Sequence, residues 1–115
     1  MIKIFKDIYN FYLIKKDKSK LGFFCENENI LEFIKPYIIN KAKKKKLIII
    51  SFKKINFEYD NTTQYIFETK IFRELVFLIL NLRYLYSSTP ELGSTLFKKS
   101  KFSKCKYIYL QHSLA

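Results

Sequence analysis

The sequence predicts an α/β domain, a parallel β-sheet with helices on both faces. Three observations lead there. Short runs of β-branched and aromatic residues alternate with longer amphipathic segments about every 20 to 25 residues, the rhythm of a parallel sheet. The run Leu47-Ile48-Ile49-Ile50 is apolar without alternation, as a strand buried on both faces must be. Only two glycines and two prolines occur among 115 residues, too few turn formers for a many-turned all-β fold.

Each element has its own signature. Residues 2 to 15 read as an amphipathic helix, with Ile4, Phe5, Ile8, Phe11 and Tyr12 on an apolar face. Lys3, Lys6, Asp7 and Asn10 fall opposite. A polar break from Lys15 to Lys20 precedes a strand from Leu21 to Cys25. The next helix spans about Ile30 to Lys44, burying Leu31, Ile34 and Ile38, with a kink or restart expected at Pro36. Lys41 and Lys43 to Lys46 gather at its C-terminal end, where cations suit the helix dipole. Leu47 to Ser51 is the second strand, Asn56 to Thr63 a polar loop, and Tyr65 to Glu68 a third strand. A helix from Ile71 to Leu80 and a strand from Leu82 to Ser87 follow. A short helix starting near Pro90, capped by Thr89, leads to a last strand from Tyr107 to Gln111. This order describes one Rossmann-like domain covering residues 1–115.

Composition narrows the function. The net charge is +12 and Lys supplies nearly all of it. Part of this reflects the amino-acid drift of an AT-rich coding sequence, and the rest makes a solvated surface or a weak anion-attracting field. Nucleic-acid readers lean on Arg for bidentate contacts. Arg73 and Arg83 are the only two here, both in apolar stretches, so no nucleic acid is expected as partner. An anionic membrane surface or a phosphate-bearing polymer suits the field better. Cys25 and Cys105 stand far apart, outside any CxxC or Cys/His cluster, and read as free thiols with no metal site. Lys3, Lys6 and Asp7 break up any signal-peptide pattern. The longest apolar run, Leu75 to Leu80, falls short of the ~20 residues of a membrane span. The expected location is cytoplasmic, with peripheral attachment to the inner face of the membrane as a further option. No G-x-G-x-x-G or P-loop is present, since Gly22 and Gly93 stand alone. No cofactor is expected.

Ligands of open α/β sheets sit beyond the carboxyl ends of the strands. Three polar clusters fall there: Cys25-Glu26-Asn27, Ser87-Ser88-Thr89-Pro90-Glu91, and His112-Ser113. A lone histidine is more often structural than catalytic. His112, however, follows an apolar strand, and a neutral imidazole held there takes a proton from an attacking hydroxyl. Ser113 has no G-x-S-x-G elbow and no acidic partner in view. Glu91 reads first as a dipole partner at a helix start, and second as an acid or base.

The segments Ser88-Thr89-Pro90-Glu91-Leu92-Gly93, Lys98-Lys99-Ser100 and Tyr107-Ile108-Tyr109-Leu110-Gln111-His112-Ser113, in this order, resemble the CDP-glycerol glycerophosphotransferase family. Bacterial teichoic-acid polymerases and capsule-polymer enzymes belong to it. The match covers about residues 86 to 113 and carries no diagnostic residue upstream. Family polymerases have Gly where Ser113 stands. The resemblance implies the N-terminal half of a two-domain GT-B transferase, inactive without its second half, where CDP-glycerol or a related nucleotide-linked donor mainly binds. It implies His112 as the general base that activates an acceptor hydroxyl of a polymer or glycan. Ser113, Thr89, Glu91, Lys98 and Lys99 would bind the acceptor, although the lysines read equally well as solvated surface. The alternative from the residues alone is a basic peripheral-membrane or polyanion-binding module without catalysis. A small nucleic-acid binder, using Tyr and Phe as stacking platforms, is the third and weakest reading.

Overall fold

The computed structural model describes residues 2–25, 28–79, 82–87 and 106–109. In chain order the elements are α1 (Ile2–Lys16), β1 (Leu21–Cys25), α2 (Glu28–Ala42), β2 (Leu47–Ser51), β3 (Thr62–Ile66), α3 (Lys70–Ile79), β4 (Tyr84–Ser87) and β5 (Lys106–Tyr109). The five strands form one sheet in the order β3-β2-β1-β4-β5, and every adjacent pair is parallel. This is the parallel α/β fold the sequence predicts, with helices on both faces.

The alternation of strand side chains sorts the core into two layers. Phe23 and Cys25 of β1 and Leu47 and Ile49 of β2 pack against Leu31, Ile34 and Ile38 of α2. On the other face Phe24, Ile48, Ile50 and Leu85 pack against Ile14 of α1 and Val76 of α3. With both faces covered, β1 and β2 are buried along their whole lengths. Gly22 sits close against this second layer. A Cβ there would come within 2.6 Å of Leu82 Cδ1, 3.2 Å of Ile48 Cγ1 and 3.3 Å of Leu85 Cδ1.

Three elements depart from the sequence reading. The third strand begins at Thr62 rather than Tyr65. As an outer strand of the sheet it tolerates Thr62, Thr63 and Gln64, whose polarity reads as loop. α2 runs through Pro36 without a restart. The third departure is the face of α1, where Phe11 alone of the five expected apolar-face residues turns inward. Asp7 is 0% exposed and Ile14 is buried, while Phe11 and Leu13 pack on the core. Ile4, Phe5, Ile8 and Tyr12 point outward.

The reason is polar. The Asp7 carboxylate accepts hydrogen bonds from the backbone N–H of Glu68 (3.0 Å) and of Thr69 (2.7 Å), and from the Thr69 hydroxyl. It thereby caps the N-terminus of α3 from another helix, satisfying donors that a helix start leaves open. Asn10 adds a bond from Nδ2 to the Ile66 carbonyl at 3.0 Å. These anchors outweigh the apolar stripe in orienting α1.

Candidate active site at the carboxyl edge of the sheet

β1 has β2 on one side and β4 on the other, and the chain leaves β1 toward β2 and β4 toward β5. The strand order therefore reverses between β1 and β4, and a doubly wound sheet opens its ligand crevice at the carboxyl ends beside such a point. Small polar side chains end the central strands there. Cys25 is in register with Ser51, Phe24 with Ser87, and Ser87 with Tyr109. Cys25, Ser51 and Ser87 are all buried. Ser51 Oγ has no hydrogen-bond partner among the described residues. A buried unpaired hydroxyl costs about 1–3 kcal/mol, a cost that a polar ligand in the crevice would relieve.

Beside this row lies a hollow of about 270 Å³ lined by Glu28, Asn29, Lys53, Lys54 and Ile55. Its geometry follows from the start of α2, whose N-terminus must lie at the carboxyl edge because the helix runs back against β1. Glu28 places its charge on that positive helix end and accepts the Asn56 N–H at 2.8 Å. Lys53 and Lys54 are exposed and give the rim a positive potential. Beyond β2, Arg73 donates to the carbonyls of Phe67 (3.3 Å) and Phe52 (3.4 Å) and lies 5.1 Å over the Phe52 ring. It thus tethers the chain just past the ends of β2 and β3.

Of the residues singled out in the sequence, Cys25 and Ser87 fall at this edge. Glu26, Asn27, Thr89, Glu91, Lys98, Lys99, His112 and Ser113 lie outside the described residues, as does the short helix expected near Pro90. The strands that lead to them are described, and Tyr109 precedes His112 by three positions. Arg83, which reads as apolar-flanked, is exposed at the opposite edge. Sequence reasoning missed Ser51, Glu28, Lys53 and Lys54. Ser51 carried a usable signal, a polar residue closing an unbroken apolar strand. Among the described residues no group of three His, Cys, Asp or Glu side chains is placed to hold a metal. No described helix is long and apolar enough to cross a membrane.

Comparison with family models, with curated proteins and with solved structures finds no match for this chain.

Proposed function

We propose that this chain is the Rossmann-like, acceptor-side half of a GT-B glycerophosphotransferase, moving glycerol phosphate from CDP-glycerol to a polymer or glycan hydroxyl. In the reaction His112 takes the proton of the acceptor hydroxyl, and the oxygen attacks the phosphorus that bears glycerol. A new acceptor O–P bond forms, the bond from that phosphorus to CMP breaks, and CMP leaves. Positioning and charge stabilisation carry most of such a transfer. Thr89, Glu91, Ser113, Lys98 and Lys99 are the proposed acceptor contacts.

The observation that carries the reading is the parallel register of Ser87 with Tyr109 next to the strand-order reversal. It brings together the two strand ends from which the Ser88–Gly93 and Gln111–Ser113 segments continue. The test is transfer of labelled glycerol phosphate by the full protein that contains this chain. His112→Ala should lower kcat at least ~100-fold, the usual contribution of a general base, with an unchanged far-UV spectrum. Activity within a few-fold of the parent would refute the assignment of the base.

The outward face of α1 supports a second reading, a basic module seated on an anionic membrane. Ile2 is 72% exposed, Phe5 and Tyr9 are each 63% exposed, and Ile8 and Tyr12 are also exposed. Lys3, Lys6, Lys15 and Lys16 flank them, with Lys16 Nζ 4.3 Å over the Tyr12 ring. An apolar stripe edged by lysines suits the lipid interface. At about 1 kcal/mol per Lys near an anionic surface, four lysines imply roughly a thousandfold preference for anionic over neutral vesicles. Co-sedimentation with phosphatidylglycerol and with phosphatidylcholine vesicles decides it. The double change Phe5→Ser/Ile8→Ser should abolish binding, and equal or absent binding to both vesicles removes the reading.

A further inference from the structure

We propose that the amino edge of the sheet, opposite the crevice, carries a binding site for an oligophosphate, an anion of two or more linked phosphates. This goes beyond the transfer reading and does not depend on it. A cavity of about 680 Å³ opens there, lined among the described residues by Lys20, Lys41, Lys44, Lys45, Lys46 and Arg83 around Leu21, Leu82, Tyr84 and Tyr86. Its volume is that of a small-ligand site. The described lining holds six cationic side chains and no carboxylate.

Three chain segments converge to make it, and backbone bonds hold them in place. Arg83 N–H and Tyr84 N–H both donate to the Lys20 carbonyl, at 2.7 and 3.2 Å, tying the entry of β4 to that of β1. The turn after α2 folds back through Lys44 N–H and Lys45 N–H onto the Lys41 carbonyl, each at 3.0 Å. Asn61, at φ 66°, reaches across to the Ala42 carbonyl with Nδ2 at 3.0 Å. The floor is equally fixed, because Tyr86 stacks on Phe23 with ring centroids 5.0 Å apart and Lys41 Nζ sits 5.6 Å over the Tyr86 ring.

Helix capping does not account for this charge. The carbonyls of Ile39 and Lys41 are taken by backbone N–H groups and that of Ala42 by Asn61, so these three need no lysine side chain as a cap. The helix C-terminus supplies only about half a negative charge, against four lysines on that turn. Among the described residues none of the six cations makes an ion pair, the one bridge being Lys35 to Glu32. Asp17 is the acid that senses Lys46, and it does not line the cavity. Among the described residues five cations are left without a carboxylate partner over this hollow. Several adjacent negative charges in a short span satisfy that arrangement, with Arg83 gripping one phosphate through paired N–H donors and the lysines acting as point charges.

The experiment is calorimetric titration of the full protein with inorganic triphosphate and, separately, with inorganic phosphate. Triphosphate should bind saturably and at least tenfold more tightly than phosphate. Lys44→Ala/Lys45→Ala and, independently, Arg83→Ala should each weaken triphosphate at least tenfold. Lys53→Ala/Lys54→Ala, the same charge change at the carboxyl edge, should leave it within twofold. All the substituted side chains are exposed, so the fold survives each change, and amide shifts at Lys44–Lys46 and Arg83 on titration locate the ligand. Equal losses from both double variants, equal affinity for phosphate and triphosphate, or no saturable binding would each overturn the proposal. His112→Ala should leave triphosphate binding unchanged, so this site and the transfer reading fail separately.

Discussion

Replacing Asp7 with alanine removes a carboxylate that is fully buried and accepts three hydrogen bonds at the start of α3. Two of its donors are backbone N–H groups, and alanine leaves both without this partner. A hydrogen bond to a charged group contributes about 1.5–3 kcal/mol, and an orphaned buried donor costs about 1–3 kcal/mol. These terms overlap, so the expected loss is about 3–5 kcal/mol, a large part of the ~5–15 kcal/mol of a typical domain. With a urea slope near about 1.5 kcal/mol/M, the midpoint should fall by about 2–3 M. The assay is urea unfolding followed by far-UV circular dichroism, with hydrogen exchange at Glu68 and Thr69 as a local probe. Asp7→Asn keeps one acceptor oxygen without the charge and should lie between the two. Lys6→Ala, on the exposed side of the same helix, should stay within about 0.5 kcal/mol of the parent. An Asp7→Ala midpoint within 0.3 M of the parent would mean that this cap does not orient α1.

Three other sites have measurable consequences for stability. Gly22→Ala should cost roughly 1–3 kcal/mol by overpacking, since its methyl meets Leu82, Ile48 and Leu85 closely; a parent-like melting temperature would show that these side chains shift freely. Ile38→Ala, at a fully buried site, should cost about 2–5 kcal/mol, whereas Ile8→Ala on the outward face of α1 should cost under about 0.5 kcal/mol, and similar losses in urea unfolding would contradict the outward placement of Ile8. Tyr65→Phe should flatten the pH dependence of stability at both ends. Burial raises the pKa of Asp17, but hydrogen bonds from the Tyr65 hydroxyl (2.6 Å) and Ser19, with the charge of Lys46, outweigh it and leave that pKa below its usual value of 3.8. Its stabilisation is therefore present above about pH 4 and lost as pH falls through the depressed folded value. Tyr65 is raised above 10.0, by burial first and then by Asp17, so its stabilisation is present below about pH 10 and lost above it. Unfolding curves at pH 3, 7 and 10.5 that shift equally in both proteins would rule the pair out.

What the sequence shows of the fold depends on how local the deciding interaction is. The run from Leu47 to Ile50 announces a doubly buried strand by itself, and Leu31, Ile34 and Ile38 mark the inner stripe of α2 at helical spacing. β3 is harder, because an outer strand buries little and Thr62-Thr63-Gln64 look like loop. The face of α1 was beyond reach from periodicity. Its apolar residues form a good stripe, yet Ile4, Phe5, Ile8 and Tyr12 face outward because Asp7 and Asn10 find partners 62 and 56 residues away. The site divides similarly. Ser51 and Ser87 are readable as polar ends of apolar strands. The grouping of Lys20, Lys41, Lys44, Lys45, Lys46 and Arg83 depends on β1 pairing with β4, which composition does not reveal.

The direction of α2 has a consequence for function. In a β-α-β unit the helix runs against the strands, so its N-terminal Glu28 lies at the carboxyl edge and the lysines after its C-terminus lie at the amino edge. At 1.5 Å per residue, the 15 residues of α2 separate the two ends by about 22 Å, far beyond the reach of a lysine side chain. The Lys43–Lys46 run therefore cannot assist a phosphoryl transfer at the carboxyl-edge crevice through direct contact. If triphosphate binds the amino-edge cavity as proposed, its binding should neither compete with nor require a small acceptor in the crevice. A polymer with phosphates along its length can span the distance. If such a polymer is the acceptor, Lys44→Ala/Lys45→Ala should raise its KM while leaving kcat with a short acceptor unchanged. Equal effects on long and short acceptors would separate the basic cavity from the transfer altogether.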